Sequence, residues 1–146
     1  MTGWRKRWRT AVDKQLNYLA LARKAGLAEL GEEPVGAVAR AGKAFLILVA
    51  SDAGDHTWRR AKSYVAGTDQ QCVKVPFTKD ELGMAIGRTS LAVAALTDPS
   101  LALAFYQAAQ KPDPAVLQVL QTKSQRKKDR QKEAKAHQRN LRKGKK

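Results

Sequence analysis

Val73-Lys74-Val75-Pro76-Phe77-Thr78-Lys79-Asp80-Glu81-Leu82-Gly83-Met84-Ala85-Ile86-Gly87-Arg88-Thr89-Ser90-Leu91-Ala92-Val93 reads as two strands joined by a short helix and a glycine turn. Thr78 precedes the helix and Glu81 stands three residues later, the pairing of a capping box. Leu82, Ala85 and Ile86 fall on one helical face. Gly87 stops the helix, and residues 91–96 resume an apolar strand. The unit therefore holds Arg88, Thr89 and Ser90 as a turn between rigid supports.

The flanking chain repeats this alternation. Residues 45–50 are continuously apolar and β-rich, as expected of a strand buried on both faces. A polar turn follows, and then a helix through Trp58, Ala61, Tyr64 and Val65. Residues 72–75 form the next strand. Upstream, residues 11–25 have helical spacing in Leu16, Leu19, Ala20 and Arg23, with Gly26 as the stop. Residues 27–30 suit a short edge strand. Gly31-Glu32-Glu33-Pro34 opens a helix reaching about Ala41, with acids and proline where a first turn accepts them. Asp98-Pro99 begins another, through Leu101, Leu103, Ala104, Phe105 and Ala108. The order α, short β, α, β, α, β, α, β, α predicts an α/β fold, a three-layer α/β/α sandwich on a small mixed sheet, with a basic C-terminal extension. Trp58 and Phe105 are read as core, and Cys72 as a buried structural thiol.

Charge divides the 146 residues differently. Residues 1–10 carry Arg5, Lys6, Arg7 and Arg9 and no acid, while residues 123–146 carry twelve basic residues against Asp129 and Glu133. The remaining body is almost balanced, with twelve bases and eleven acids in a chain of net charge +15. Dense cationic ends on a neutral body suit a polyanion, whose counterions are released as phosphates are neutralised. The predicted organisation is a basic N-terminal arm (1–10), a folded domain (11–110) and a proline-bounded linker with a basic tail (111–146). Residues 115–122 have one apolar face for a turn or two of helix. From Lys123 on, Leu141 is the single large apolar side chain, so disorder or nascent helix is expected, ordering on an anionic partner.

A single cysteine excludes an intrachain disulfide and fits a reducing cytoplasm. No apolar run approaches the roughly 20 residues of a membrane span, and the interrupted N-terminal pattern is not that of a secretory signal. An amphipathic surface helix around Trp4 and Trp8 is the membrane alternative, and the weaker one.

Catalytic constellations are missing from the pattern. Asp52, Asp55 and His56 fit no standard metal spacing and suit a polar loop better. The adjacent pair Glu32 and Glu33 diverges by roughly 100° on a helix, so it does not face one reacting bond. Neither a Walker loop nor a GxGxxG after a strand is present. The expectation is a protein that is not an enzyme, with no cofactor and no metal.

Several of these segments resemble, in order and spacing, the ribosomal-protein family that binds RNA kink-turns, especially its small bacterial YlxQ-like members. They are Leu19-Ala20-Leu21-Ala22-Arg23-Lys24-Ala25-Gly26, Leu30-Gly31-Glu32-Glu33, Ala41-Gly42-Lys43-Ala44, Ala50-Ser51-Asp52-Ala53, Val75-Pro76, and the run from Lys79 to Gly87 with the strand after it. The resemblance implies that the loop of Gly31, Glu32 and Glu33 meets sharply bent RNA, and that Gly87, Arg88, Thr89 and Ser90 cover a flipped-out nucleotide. Arg23, Lys24, Arg40 and Lys43 are the nearby bases expected to engage flanking phosphates. Where such binders often carry Asn-Glu this chain has Glu33-Pro34, which removes one amide donor and one backbone donor. The implied partners are ribosomal or other structured RNA, with ribosomal proteins beside it, and a monomer is favoured. The alternative is a protein-interaction adaptor docking through Glu29, Glu32 and Glu33.

Overall fold

The computed structural model describes residues 3–143, with side chains for residues 14–141. In chain order the elements are α1 (Gly3–Lys24), β1 (Ala28–Leu30), α2 (Glu32–Arg40), β2 (Leu46–Val49), α3 (Asp55–Val65), β3 (Gln71–Lys74), α4 (Lys79–Ala85), β4 (Val93–Leu96), α5 (Pro99–Gln107) and α6 (Pro114–Lys143). The strands form one sheet in the order β1-β4-β2-β3. β4 is antiparallel to both of its neighbours, β1 and β2, while β2 and β3 run parallel. The sheet is thus mixed, as the sequence predicts.

Leu-Ile-Leu-Val in β2 and Val-Ala-Ala-Leu in β4 are buried at every position. Alternation sends the two halves of each strand to opposite cores. Leu46, Leu48, Ala94 and Leu96 join Leu19, Phe77, Leu82 and Phe105 under α1, α4, α5 and α6. Ile47, Val49, Val93 and Ala95 join Val35, Ala39 and Ala61 under α2 and α3. Helices therefore cover both faces, and the α/β/α sandwich is the observed architecture. Ala94 and Ala95 leave room for the two helical layers to approach a strand with no exposed side.

The capping box is present. Thr78 Oγ1 accepts from the Glu81 N–H at 3.2 Å, and the Thr78 N–H donates to Glu81 Oε1 at 3.1 Å. Asp98 caps α5, accepting the Leu101 N–H at 2.9 Å. Asp52 accepts the Lys79 N–H at 2.8 Å and so ties the start of α4 to the end of β2.

The two termini depart from expectation. α1 is one helix from Gly3, so residues 3–10 continue the body's helix as backbone rather than forming a separate arm. The side chains of Trp4 and Trp8 lie outside the described ones. The expectation of a linker and a disordered or nascent-helical tail is also corrected, because Pro114–Lys143 is one helix of 30 residues. Its beginning belongs to the body, with Leu120 fully buried and Ser124 nearly so. α5 and α6 form an antiparallel hairpin, pinned by Tyr106 Oη to the Asp113 N–H at 2.8 Å, by Ser100 to Ser124 at 3.2 Å, and by Lys127 to Asp98. Lys123 pairs with Asp69 at 2.8 Å and lies over the Phe45 ring. The sequence signal failed because the docking face is sparse: Val116, Leu117, Leu120 and then only polar residues that find specific partners.

Two outcomes test the docked helix. Leu120→Ala is expected to cost about 3 kcal/mol of unfolding free energy in urea titration; a change under about 0.5 kcal/mol would show that α6 does not complete the core. The hydrogen bond from Lys123 holds the Asp69 carboxyl below its usual 3.8. A lowered folded value means this contribution is present above the unfolded pKa and lost as pH falls through the folded one. Asp69→Asn should therefore leave the pH dependence of stability unchanged above about pH 5 and flatten it slightly on the acid side.

Candidate nucleic-acid interface

The strand registers sort the sequence-predicted site residues into two groups. Gly31 donates its N–H to the Val93 carbonyl at 3.0 Å, at the point where β4 begins. The turn after α4 feeds the same point, since the Leu91 N–H donates to the Lys79 carbonyl at 2.9 Å. Gly31, Glu32 and Glu33 thus share one end of the sheet with Gly87, Arg88, Thr89 and Ser90.

Local chemistry explains both loops. Gly31 has φ 101° and ψ 162°, a conformation that suits glycine alone, and it turns the chain from β1 into α2. Gly87 has φ 74°, with the Arg88 N–H on the Gly83 carbonyl at 2.8 Å, the longer-range bond of a Schellman ending. A Cβ on Gly83 would lie 2.7 Å from the Ser90 backbone, so the turn rests directly on α4. Arg88, Thr89 and Ser90 are exposed.

Glu32 is already engaged. It accepts from Thr57 Oγ1 at 3.2 Å and pairs with Arg60 at 3.0 Å. These partners on α3, 25 and 28 residues away, leave no local sequence signal. Glu33 stays exposed. The loops at this end (31–33, 51–57, 76–81 and 87–91) hold six acids, Glu32, Glu33, Asp52, Asp55, Asp80 and Glu81, against Lys79 and Arg88. Even with Arg60 added, these loops hold more acids than bases.

Arg23, Lys24, Arg40 and Lys43 are not brought to it. β1 starts opposite Leu96, and the Leu27 carbonyl accepts the Thr97 N–H at 2.9 Å. Arg23 and Lys24 close α1 just before that point. β2 likewise starts opposite Leu96, with the Phe45 N–H on the Leu96 carbonyl at 3.0 Å, and Lys43 sits two residues earlier. The bases therefore lie where β4 finishes. Helix α2, about 13 Å long at 1.5 Å per residue, separates Glu32 and Glu33 from Arg40. The structure thus does not bring these four together with the two loops: the length of a strand or of α2 separates them. The Arg40 guanidinium moreover turns back beside Gly36 and Tyr64.

Two further features went unread in the sequence. Buried Gln70 accepts the Ala44 N–H at 2.9 Å and donates to the Ala39 carbonyl at 3.1 Å, which locks the Arg40-to-Lys43 turn onto the start of β3. Partners 26 and 31 residues away leave no local pattern. Trp58, expected in the core, is half-buried with Lys62 and Lys74 each 5.6 Å from its ring. It borders a groove of about 470 Å³ along the open edge of β3, walled by Val73, Val75, Phe105 and Tyr106. Cys72 on β3 is partly buried against the other core, and burial pushes its thiol above the usual value. Among the described residues, no group of three or more His, Cys, Asp or Glu could hold a metal ion, and no helix is long and apolar enough to cross a membrane.

No protein-family model and no curated protein sequence matches the chain. Solved structures do. One is a protein of unknown function from Bacillus halodurans, 27% identical, with TM-score 0.61, covering 65% of this chain and 95% of its own. Another is a 15.5 kD RNA-binding protein from Giardia lamblia, 18% identical, with TM-score 0.56, covering 67% of this chain and 83% of its own. The second likeness concerns the fold.

Gly83→Ala should force the Ser90 backbone away from α4, at a cost of about 2 kcal/mol or more. Chemical denaturation checks the cost, and amide exchange in residues 87–91 should rise. Unchanged stability and exchange would show that the turn does not depend on this contact.

Proposed function

We propose that the protein is a non-enzymatic RNA-binding protein that recognises structured RNA of bent, kink-turn-like shape, with ribosomal RNA and ribosome assembly as the context. The supporting observation is the segregation of charge. α6 reaches Lys127 at the end of the hairpin, and residues 128–141 then run on with every side chain exposed. That extension carries Lys128, Arg130, Lys132, Lys135 and Arg139 against Asp129 and Glu133. A rigid cationic helix gains affinity for any phosphate backbone, and a folded body beside it can select shape. The fold likeness to an RNA-binding protein supports the same reading at the level of architecture. In the same account the chain works in the cytoplasm without a cofactor.

One observation favours a second reading. The acidic loops around Glu32, Glu33, Asp55 and Asp80 are poorly suited to phosphate and well suited to a basic protein surface. An adaptor held on RNA by α6 and docked to a protein, such as a ribosomal protein, through those loops would use both.

Full-length protein titrated with a kink-turn RNA and with a straight duplex, between 50 and 200 mM salt, tests the proposal. Tighter binding of the kink-turn is expected, with affinity for both falling steeply as salt rises. Deleting residues 128–146 should weaken both RNAs alike and lower the salt slope by about 3 or more. Absence of salt-dependent RNA binding by the intact chain would overturn the function. Equal affinity for the two RNAs would overturn the shape preference.

A further inference from the structure

On the reading that the protein binds RNA, we infer that the RNA backbone is gripped at the end of the sheet where β4 finishes, by Arg23, Lys24 and Lys43 together with Arg126 and Lys128 of α6. This is the opposite end from the two loops that the family resemblance implies.

The placement follows from the ladder. Leu27 and Phe45 flank the end of β4 on its two sides, bonded to Thr97 and Leu96. Two strand spacings put them about 10 Å apart. Lys24 lies three residues before Leu27, and Lys43 lies two residues before Phe45. α6 crosses this same end, because Lys123 lies over the Phe45 ring and Lys127 reaches Asp98, two residues past β4. Three separate cationic segments therefore meet around one strand terminus.

Two acids at this end, Asp69 and Asp98, are already paired within the protein, and Asp129 accepts from Gln125 at 2.9 Å. Asp69 is taken by Lys123, and Asp98, 8% exposed at its side chain, is taken by Lys127 and by the start of α5. Arg23, Lys24, Lys43, Arg126 and Lys128 are exposed, and among the described residues none of them is ion-paired. Five exposed bases without partners, against Asp129 beside two paired acids, leave a net positive surface that an anion can approach without displacing a native contact. The surface is also preorganised. Gln70 fixes the turn bearing Lys43, and the Leu27 N–H on the Ala22 carbonyl at 2.8 Å fixes the end of α1 bearing Arg23 and Lys24. Arg40 is left out, since its guanidinium folds back along α2.

Helix dipoles offer another reason for bases here, because α1 and α2 both end at this point. That role stabilises helices and needs no RNA, so the two roles separate experimentally. The closing test sets matched pairs of substitutions in the full chain against each other. K24Q/K43Q is expected to weaken binding of a structured RNA at least ten-fold and to lower the salt slope by about 1.5 to 2, with thermal unfolding shifted little. K79Q/R88Q, at the other end, is expected to cost less than three-fold. Lysine acetylation of the wild type should show Lys24 and Lys43 protected by RNA and Lys79 unprotected. A larger loss for K79Q/R88Q, equal losses for both pairs, or protection of Lys79 alone would overturn the assignment while leaving RNA binding standing. If the wild type bound no RNA but sedimented with phosphatidylserine vesicles, both this inference and the proposed function would fall.

Discussion

Everything in this molecule is placed by β4. Its four residues are buried on both faces and hydrogen-bonded on both edges, to β1 on one side and β2 on the other. A strand so enclosed has no freedom of register, since a slip of one residue would exchange the contents of the two cores. Its beginning collects the start of α2, the turn after α4 and the end of β2. Its finish collects the ends of α1 and α2 and the crossing of α6. The two chemically distinct ends of the protein are the two ends of this one strand.

That geometry accounts for what was legible in the sequence. Runs such as residues 45–50 and 91–96 announce buried strands by composition alone, and Thr78 with Glu81 announces a helix start within four residues. The α/β/α layering follows from such local signals. Position across the sheet does not. Arg23, Lys24, Arg40 and Lys43 stand close in sequence to Gly31 and look like its neighbours. A three-residue strand and a nine-residue helix turn that short separation into distance along the sheet. Glu32 is held by Thr57 and Arg60, and that contact is not legible locally because the face of α3 that meets it is set by packing.

α6 failed to declare itself for a related reason. A helix is recognised by its apolar stripe, and this one has almost none beyond Leu120. Its docking uses Tyr106, Ser124, Lys123 and Lys127, polar contacts each specific to a distant residue. The same lysines that gave the segment the look of a solvated tail neutralise Asp69 and Asp98, so net charge disguised structural work. The result is a body whose unengaged exposed bases, among the described residues, are those left over after the structural ones are subtracted.

The strand order also governs how the chain must assemble as it is synthesised. β1 and β2 never touch through hydrogen bonds, because β4 lies between them, and β4 is the last strand to be made. Until residue 96 has left the ribosome, the nascent chain can form only the parallel pair of β2 and β3, with one edge of β2 open and β1 without a neighbour. Non-local pairing of this kind carries its loop-closure entropy before any ladder rewards it. Insertion of β4 then seals two edges and closes both cores in one step. The centre of the finished sheet is thus the latest strand in time, and the unfinished chain is most adhesive just before its completion.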